Sequence, residues 1–214
     1  MSKNEARRQK QLAKKKAKRD EKRTQMARQS SDNPLVRLAE AESWPIVDAL
    51  VPETLWSRGI GQLILTRRLP DGRLALGNFL VDVFCLGVKN AYWKIISEWD
   101  FDSLKRKLAE LGPLYAATPE QFAKLVLGAV DYAQAIGFPP HPDFRHAKLL
   151  LAGIDPSKCT DTFTFGKDGK PFYINGPFDS PEKIKIITHK IRRAGGESMM
   201  MTEEGPEQMR ALVE

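Results

Sequence analysis

The stretch GNFLVDVFCLGVKN, residues 77–90, decides the fold. Alternation along a strand places its side chains in two sets: Phe79, Val81, Val83 and Cys85 on one face, and Leu80, Asp82 and Phe84 on the other. Both faces are mostly apolar, which is typical of a strand covered on both sides. We therefore expect the hydrophobic core to assemble around this strand.

The neighbouring residues predict an antiparallel β meander. Residues 60–68 and 73–85 form a predicted β-hairpin closed by the turn sequence Leu69-Pro70-Asp71-Gly72. Gly77 inside the strand predicts a bulge or a close backbone approach, and residues 91–96 predict a third strand. A second hairpin is predicted from residues 163–165 and 172–174, which flank the loop GKDGK.

Helices are predicted on both sides of the meander. The firmest follows the capping box Thr118-Pro119-Glu120-Gln121 and ends at Gly137. The other predicted helices are one from Asn33–Pro34, a short one over 46–56 broken by Pro52, one over 101–111 capped by Asp100, one from His141 or Asp143 to Gly153, and one from Ser180-Pro181 to Gly195. Strands followed by helices predict an α+β fold.

The charge of the chain is concentrated at its N-terminus. The whole chain has 34 Lys and Arg against 27 Asp and Glu, a formal charge of +7. Residues 1–28 hold 12 basic and 3 acidic residues, so the remainder carries a charge of −2. We expect a disordered basic tail over 1–32, because it has too few apolar residues to offset its ordering entropy. We expect one domain over 33–195 and a mobile acidic tail over 196–214, where five Glu stand against one Arg.

The basic tail predicts contact with nucleic acid or the ribosome. Its candidate binding residues are Arg7, Arg8, Lys10, Lys14, Lys15, Lys16, Lys18, Arg19, Lys22 and Arg23. The tail has no aromatic residue to stack on bases, so binding would depend on phosphates and counterion release. A solvated tail that aids solubility is the alternative.

Asp82 is the sharpest candidate for chemistry, with Lys89, His141 and Asp143 as possible companions. A carboxylate among apolar neighbours has a raised pKa if it is unpaired, which suits general acid or base catalysis. A metal-dependent nuclease would need further carboxylates, for which Asp143 and Asp179 are the nearest candidates. The structural alternative is an Asp at a strand end, or one paired with Lys89 or an arginine.

No spacing in the chain predicts a metal site, and the sequence leaves any cofactor undefined. His141 and His146 are five residues apart, which does not place two imidazoles on one helical face. The motifs GxSxG, GxGxxG and the P-loop do not occur. The two cysteines, Cys85 and Cys159, form no disulfide framework, and Trp44 and Trp56 are interpreted as packing residues.

No run of 18 apolar residues and no apolar segment behind the basic N-terminus is found, so we expect neither a membrane span nor a secretory signal. The default location is the cytoplasm.

Three stretches, FLVDVFCLGVKN, GFPPHPDFRHAK and NGPFDSPEKI, resemble a group of uncharacterised bacterial proteins. The resemblance covers roughly residues 45–193 and leaves both tails outside. It implies one intact bacterial domain and transfers neither an activity nor site residues.

The leading hypothesis is an intracellular binding protein whose basic N-terminal arm contacts nucleic acid, ribosomal RNA being one candidate. The first alternative is a hydrolase, such as a metal-dependent nuclease, that uses Asp82. The second is a protein-interaction module with solubilising tails. The oligomeric state stays open.

Overall fold

The computed structural model describes residues 37–200 of the 214-residue chain. Residues from Ala41 onward belong to one structural unit, and residues 37–40 belong to a second one. In the second unit the amide of Glu40 donates a hydrogen bond to the carbonyl of Arg37. The predicted basic tail, most of the helix predicted from Asn33–Pro34 and residues 201–214 of the predicted acidic tail lie outside the described residues. Residues 197–199, which were predicted to belong to the mobile acidic tail, form a strand instead.

An antiparallel sheet of five strands organises the unit that starts at Ala41. In chain order the strands are β1 (Ile46–Pro52), β2 (Ile60–Arg68), β3 (Leu74–Asp82), β4 (Gly87–Ile96) and β5 (Leu114–Ala116). Their order across the sheet is β4-β3-β2-β1-β5, so β2, β3 and β4 form the predicted meander. Every residue of β3 is buried, as expected for a strand covered on both sides.

The helices lie between and after these strands. The described part of the chain has five α-helices: α1 (Leu55–Arg58), α2 (Glu98–Leu111), α3 (Pro119–Ile136), α4 (Phe144–Ala147) and α5 (Pro181–Arg193). Short 3-10 helices cover Ala41–Ser43, Lys148–Leu151 and Pro156–Lys158. Two further strands, β6 (Phe172–Ile174) and β7 (Glu197–Met199), form a small parallel sheet. The predicted α+β class is confirmed.

The hairpin of β2 and β3 is confirmed with its turn. The two strands pair from Ile60–Asp82 to Arg68–Leu74 without a register shift. The amide of Gly72 donates to the carbonyl of Leu69 at 3.0 Å, and Gly72 has a φ of 85°, which favours glycine.

Different helices cover the two faces of β3. Leu74 and Leu76 pack in one cluster with Phe101 and Leu108 of α2. On the opposite face the ring of Phe79 meets Phe122 of α3 at 5.9 Å and Phe144 of α4 at 6.1 Å, in edge-to-face geometry.

The close approach predicted at Gly77 is confirmed, and the bulge is not at this residue. A β-carbon on Gly77 would lie 2.8 Å from Cδ1 of Leu150. The register of β3 with β4 shifts instead after Leu80, where Lys89 becomes the extra residue on β4.

The capping prediction for α3 is confirmed. The Thr118 side chain accepts a hydrogen bond from the Gln121 amide at 3.1 Å, and Gly137 ends the helix with a φ of 96°. The helix predicted over 101–111 exists but begins earlier. Ser97, not Asp100, caps it, and its Oγ accepts from the Asp100 amide.

Two predicted elements were wrong. Residues 46–52 form β1 and not a helix, because pairing with β2 on one side and β5 on the other outweighs the local pattern. The second hairpin is reduced to one antiparallel bridge between Lys167 and Lys170. Residues 163–165 form no strand, and β6 pairs in parallel with β7, which is remote in sequence.

Candidate functional site

Asp82 lies at the end of β3 and closes the turn to β4. Its Oδ1 accepts hydrogen bonds from the amides of Phe84 at 3.0 Å and Cys85 at 2.8 Å. These bonds end the strand after Asp82, which is why residues 83–86 form a turn instead of continuing β3 as predicted. The carboxylate is 8% exposed. Its position agrees with the structural alternative of an Asp at a strand end.

Burial shifts the pKa of both ionisable groups in this turn. It raises the pKa of Asp82, against the opposing effects of Lys89 and of amides in the turn. It also raises the pKa of the Cys85 thiol far above its usual range, with Asp82 acting in the same direction. Cys85 is therefore a protonated core residue and not a thiolate nucleophile.

The charge of Lys89 acts on Asp82 and on a second buried carboxylate, Asp179. The Asp179 side chain is 5% exposed; its Oδ1 lies 2.6 Å from Nζ of Lys183, and its Oδ2 accepts from the Tyr173 hydroxyl at 2.9 Å and the Gly176 amide at 2.7 Å. The pKa of Asp179 is lowered overall. Burial acts in the opposite direction, but these bonds and the charge of Lys89 together outweigh its effect. Asp179 thus fixes the loop before α5.

The space beside Asp82 is small. Asp82 and Lys89 line a pocket of about 20 Å³ together with Arg58 and Phe172. That volume is of the order of one water molecule. The pocket is too small for the substrate of a hydrolase as it stands.

His141 and Asp143, the other two candidate catalytic residues, lie at the start of α4 and do not line this pocket. The His141 amide donates to the carbonyl of Val88, and Nδ1 of His141 accepts from the Asp143 amide at 3.3 Å. The Asp143 carboxylate lies 3.9 Å from the same nitrogen. Both residues therefore make local contacts that shape the connection from α3 to α4.

Metal-ligating side chains do not gather anywhere in residues 37–200. No group of three or more His, Cys, Asp or Glu side chains there could hold a metal ion. The ten candidate nucleic-acid-binding residues between Arg7 and Arg23 lie outside the described residues. Among the helices that are described, none has the length and apolar character needed to cross a membrane.

The sequence did not predict a cleft that the described residues form on the surface. An open cleft of about 860 Å³ lies between α1, β5, the start of α3 and the loop of residues 161–168. Trp56, interpreted above as a packing residue, lines it with Tyr115 and Phe163. The sequence feature that could have indicated the cleft is the pattern DTFTFGKD, residues 161–168. Aromatic residues alternate there with polar ones, in a segment that forms no strand.

The loop that borders the cleft is anchored at several points. Nζ of Lys124 donates to the carbonyl of Cys159 at 2.8 Å, and the Gly166 amide donates to the carbonyl of Val83 at 2.9 Å. Nε2 of Gln121 donates to Oδ2 of Asp161 at 2.7 Å. A long irregular segment held in this way is typical of a binding loop.

Comparison of the chain with protein-family models, with curated proteins and with solved structures gives no match.

Proposed function

We propose that this protein is a non-enzymatic binding protein of the bacterial cytoplasm whose N-terminal arm, residues 1–28, contacts nucleic acid through phosphate groups, with ribosomal RNA as one candidate. The observation that carries the proposal is the separation of charge: +9 in the first 28 residues and −2 in the remainder. Dense Lys and Arg residues release counterions from a nucleic-acid backbone without reading its bases.

The non-enzymatic part of the proposal is supported by the surroundings of Asp82. One carboxylate oxygen already accepts two backbone amides, and the adjoining pocket has the volume of about one water molecule. A general acid or base must reach its substrate within hydrogen-bonding distance. The hydrolase alternative keeps one favourable feature: the buried Asp82 lines the same small pocket as the half-buried Lys89, whose charge acts on it.

The proposal is tested by fluorescence anisotropy with labelled single- and double-stranded RNA. The full chain is compared with residues 29–214 and with the full-length triple variant Lys14→Gln, Lys15→Gln, Lys16→Gln, which keeps length and helix propensity. If the arm makes six or more phosphate contacts, affinity for duplex RNA falls about 10³-fold or more between about 50 and 200 mM salt. The triple variant lowers the slope of log affinity against log salt by about 2 to 3.

Two other results would redirect the proposal. Equal binding by residues 29–214 would place the nucleic-acid surface on the domain and raise the nuclease alternative. That alternative then requires Asp82→Asn to fold normally and abolish cleavage. Absence of binding by the full chain at low salt would overturn the proposal and leave the protein-interaction module ahead.

A further inference from the structure

The cleft beside Trp56 has walls made of aromatic rings held in fixed geometry. The Trp56 ring stacks on Phe163 with centroids 5.8 Å apart and planes at 17°, and it meets Phe165 at 5.7 Å. Phe165 in turn stacks on Tyr132 of α3 at 5.7 Å. Because each ring braces the next, the half-buried faces of Trp56 and Phe163 are available to a ligand without rearrangement.

The charged groups at the cleft are mainly acidic. Asp161 and Asp168 both line it, against one lysine, Lys167. The ammonium group of Lys167 lies over the ring of Phe172, 4.4 Å from its centroid. Asp161 accepts a hydrogen bond from the side-chain amide of Gln121, which is neutral and does not cancel the negative charge of the carboxylate. The net charge of these three groups is negative, which disfavours a phosphate-bearing ligand.

Aromatic faces next to carboxylates attract organic cations. A cation over an aromatic ring is attracted by the ring quadrupole, and a guanidinium group also stacks flat on such a ring while donating to a carboxylate. We infer that this cleft binds an organic cation, a guanidinium or ammonium group on an alkyl chain, between the Trp56–Phe163 stack and Asp161. The inference concerns a site and a ligand charge different from those of the proposed arm.

The same cationic group can come from a free amine or from an arginine side chain, and two probes separate these sources. Agmatine represents the free alkylguanidine, and the peptide acetyl-Gly-Arg-Gly-amide represents the side chain. The matched neutral probe is the same peptide with citrulline in place of arginine, which keeps shape and hydrogen-bonding capacity but removes the charge.

Binding to the full chain is measured by calorimetry and by NMR of the tryptophan indole N–H groups, with the Trp56 signal assigned from Trp56→Leu. At least one cationic probe is expected to bind saturably below about 10 mM and to shift the Trp56 signal. The affinity for the citrulline peptide should be lower than that for the arginine peptide by a factor of about ten or more. Tighter binding of the peptide identifies a polypeptide side chain as the source, and equal or tighter binding of agmatine identifies a free amine.

Variants separate this site from nonspecific attraction. Asp161→Asn, an exposed and nearly isosteric change, and Trp56→Leu should each weaken binding about tenfold. Lys167→Gln should strengthen it several-fold by removing a like charge. Trp99→Leu is the control, because Trp99 is 72% exposed and does not line the cleft.

The inference is overturned by any of four results. These are no saturable binding of either cationic probe to the wild-type chain, equal affinity for the citrulline peptide, an unchanged affinity in Asp161→Asn, or a shift of the Trp56 signal by adenosine monophosphate but by neither cationic probe. Asp161→Asn keeps the test valid even if Trp56→Leu fails to fold.

Discussion

At the scale of single residues, Arg67 makes hydrogen bonds to several backbone carbonyls. This buried arginine of β2 donates from Nε to the carbonyl of Leu150 at 2.7 Å and from Nη2 to that of Ala152 at 2.5 Å. Its Nη1 donates to the carbonyls of Ala41 and Trp44, both at 2.9 Å. One side chain therefore joins two remote segments of the chain to the sheet by donating hydrogen bonds to their carbonyls.

We predict that Arg67→Met lowers the free energy of unfolding by about 3 kcal/mol or more, because several buried carbonyls lose their donor. The next residue supplies the control. Arg68 forms an exposed ion pair with Glu98, so Arg68→Met should cost less than about 1 kcal/mol. Urea unfolding measures the free energy of unfolding of both variants. Similar losses of stability would show that the hydrogen bonds of Arg67 do not contribute the expected extra stability.

Asp82 and Asp179 should have opposite effects on the pH dependence of stability. Burial raises the folded-state pKa of Asp82, so the folded state binds the proton more tightly and stability is lost as pH rises from about 4 through that pKa. The pKa of Asp179 is lowered, so its contribution is present above about pH 4 and is lost as pH falls through the folded-state pKa.

Denaturant unfolding at a series of pH values tests both signs. Asp82→Asn keeps the Oδ1 acceptor but does not ionise, so this variant should lack the part of the stability loss that Asp82 causes as the pH rises. Asp179→Asn should be less stable than the wild type at neutral pH and approach it in acid. Parallel pH profiles for the wild type and Asp82→Asn would contradict the assigned role of Asp82.

At the scale of elements, the packing of β4 on α3 depends on Gly87. This glycine has a φ of 63°, and a β-carbon there would lie 2.7 Å from the carbonyl oxygen of Ala129 and from Cβ of Ala133. Helix α3 could not keep its distance from the sheet if residue 87 carried a side chain. The sequence did not identify the helix that packs against Gly87.

Gly87→Ala should therefore destabilise the fold by about 2–4 kcal/mol, combining backbone strain with overpacking. Gly72→Ala is the matched control, since Gly72 has a φ of 85° but no atom within 4 Å of the added carbon. It should lose only about 1 kcal/mol from the backbone term. Thermal unfolding measures the stability of both variants. Equal losses of stability would mean that α3 shifts at little energetic cost to accommodate the added carbon.

At the scale of the whole molecule, two features of opposite charge carry the two proposals. The arm is strongly basic and would bind anionic phosphates, while the cleft is lined by two aspartates against one lysine and would bind a cation. High salt should weaken nucleic-acid binding by the arm steeply through counterion release. It should weaken cation binding by the cleft less, because aromatic stacking and burial of apolar surface persist in salt. The two proposals can therefore fail independently.

Local sequence determined the elements whose signals lie within a few residues. The turn at Leu69–Gly72, the capping box at Thr118 and the buried character of β3 are set by steric preference, nearby hydrogen bonds and hydrophobic alternation, and all three were predicted. The structure of residues 46–52 was not, because strand β1 exists only by pairing with β2 and β5.

Tertiary structure alone decided what surrounds each candidate residue. Asp82 and Lys89 were predicted companions and share a small pocket. Asp143 and Asp179 were both candidates for a further carboxylate, and only the fold showed that Asp179, about a hundred residues from Asp82 in the chain, lies within the electrostatic reach of Lys89. The cleft likewise joins Trp56, Tyr115 and Phe163 from three distant segments. A linear sequence fixes the chemistry of such side chains, whereas their meeting depends on long-range packing that no local pattern encodes.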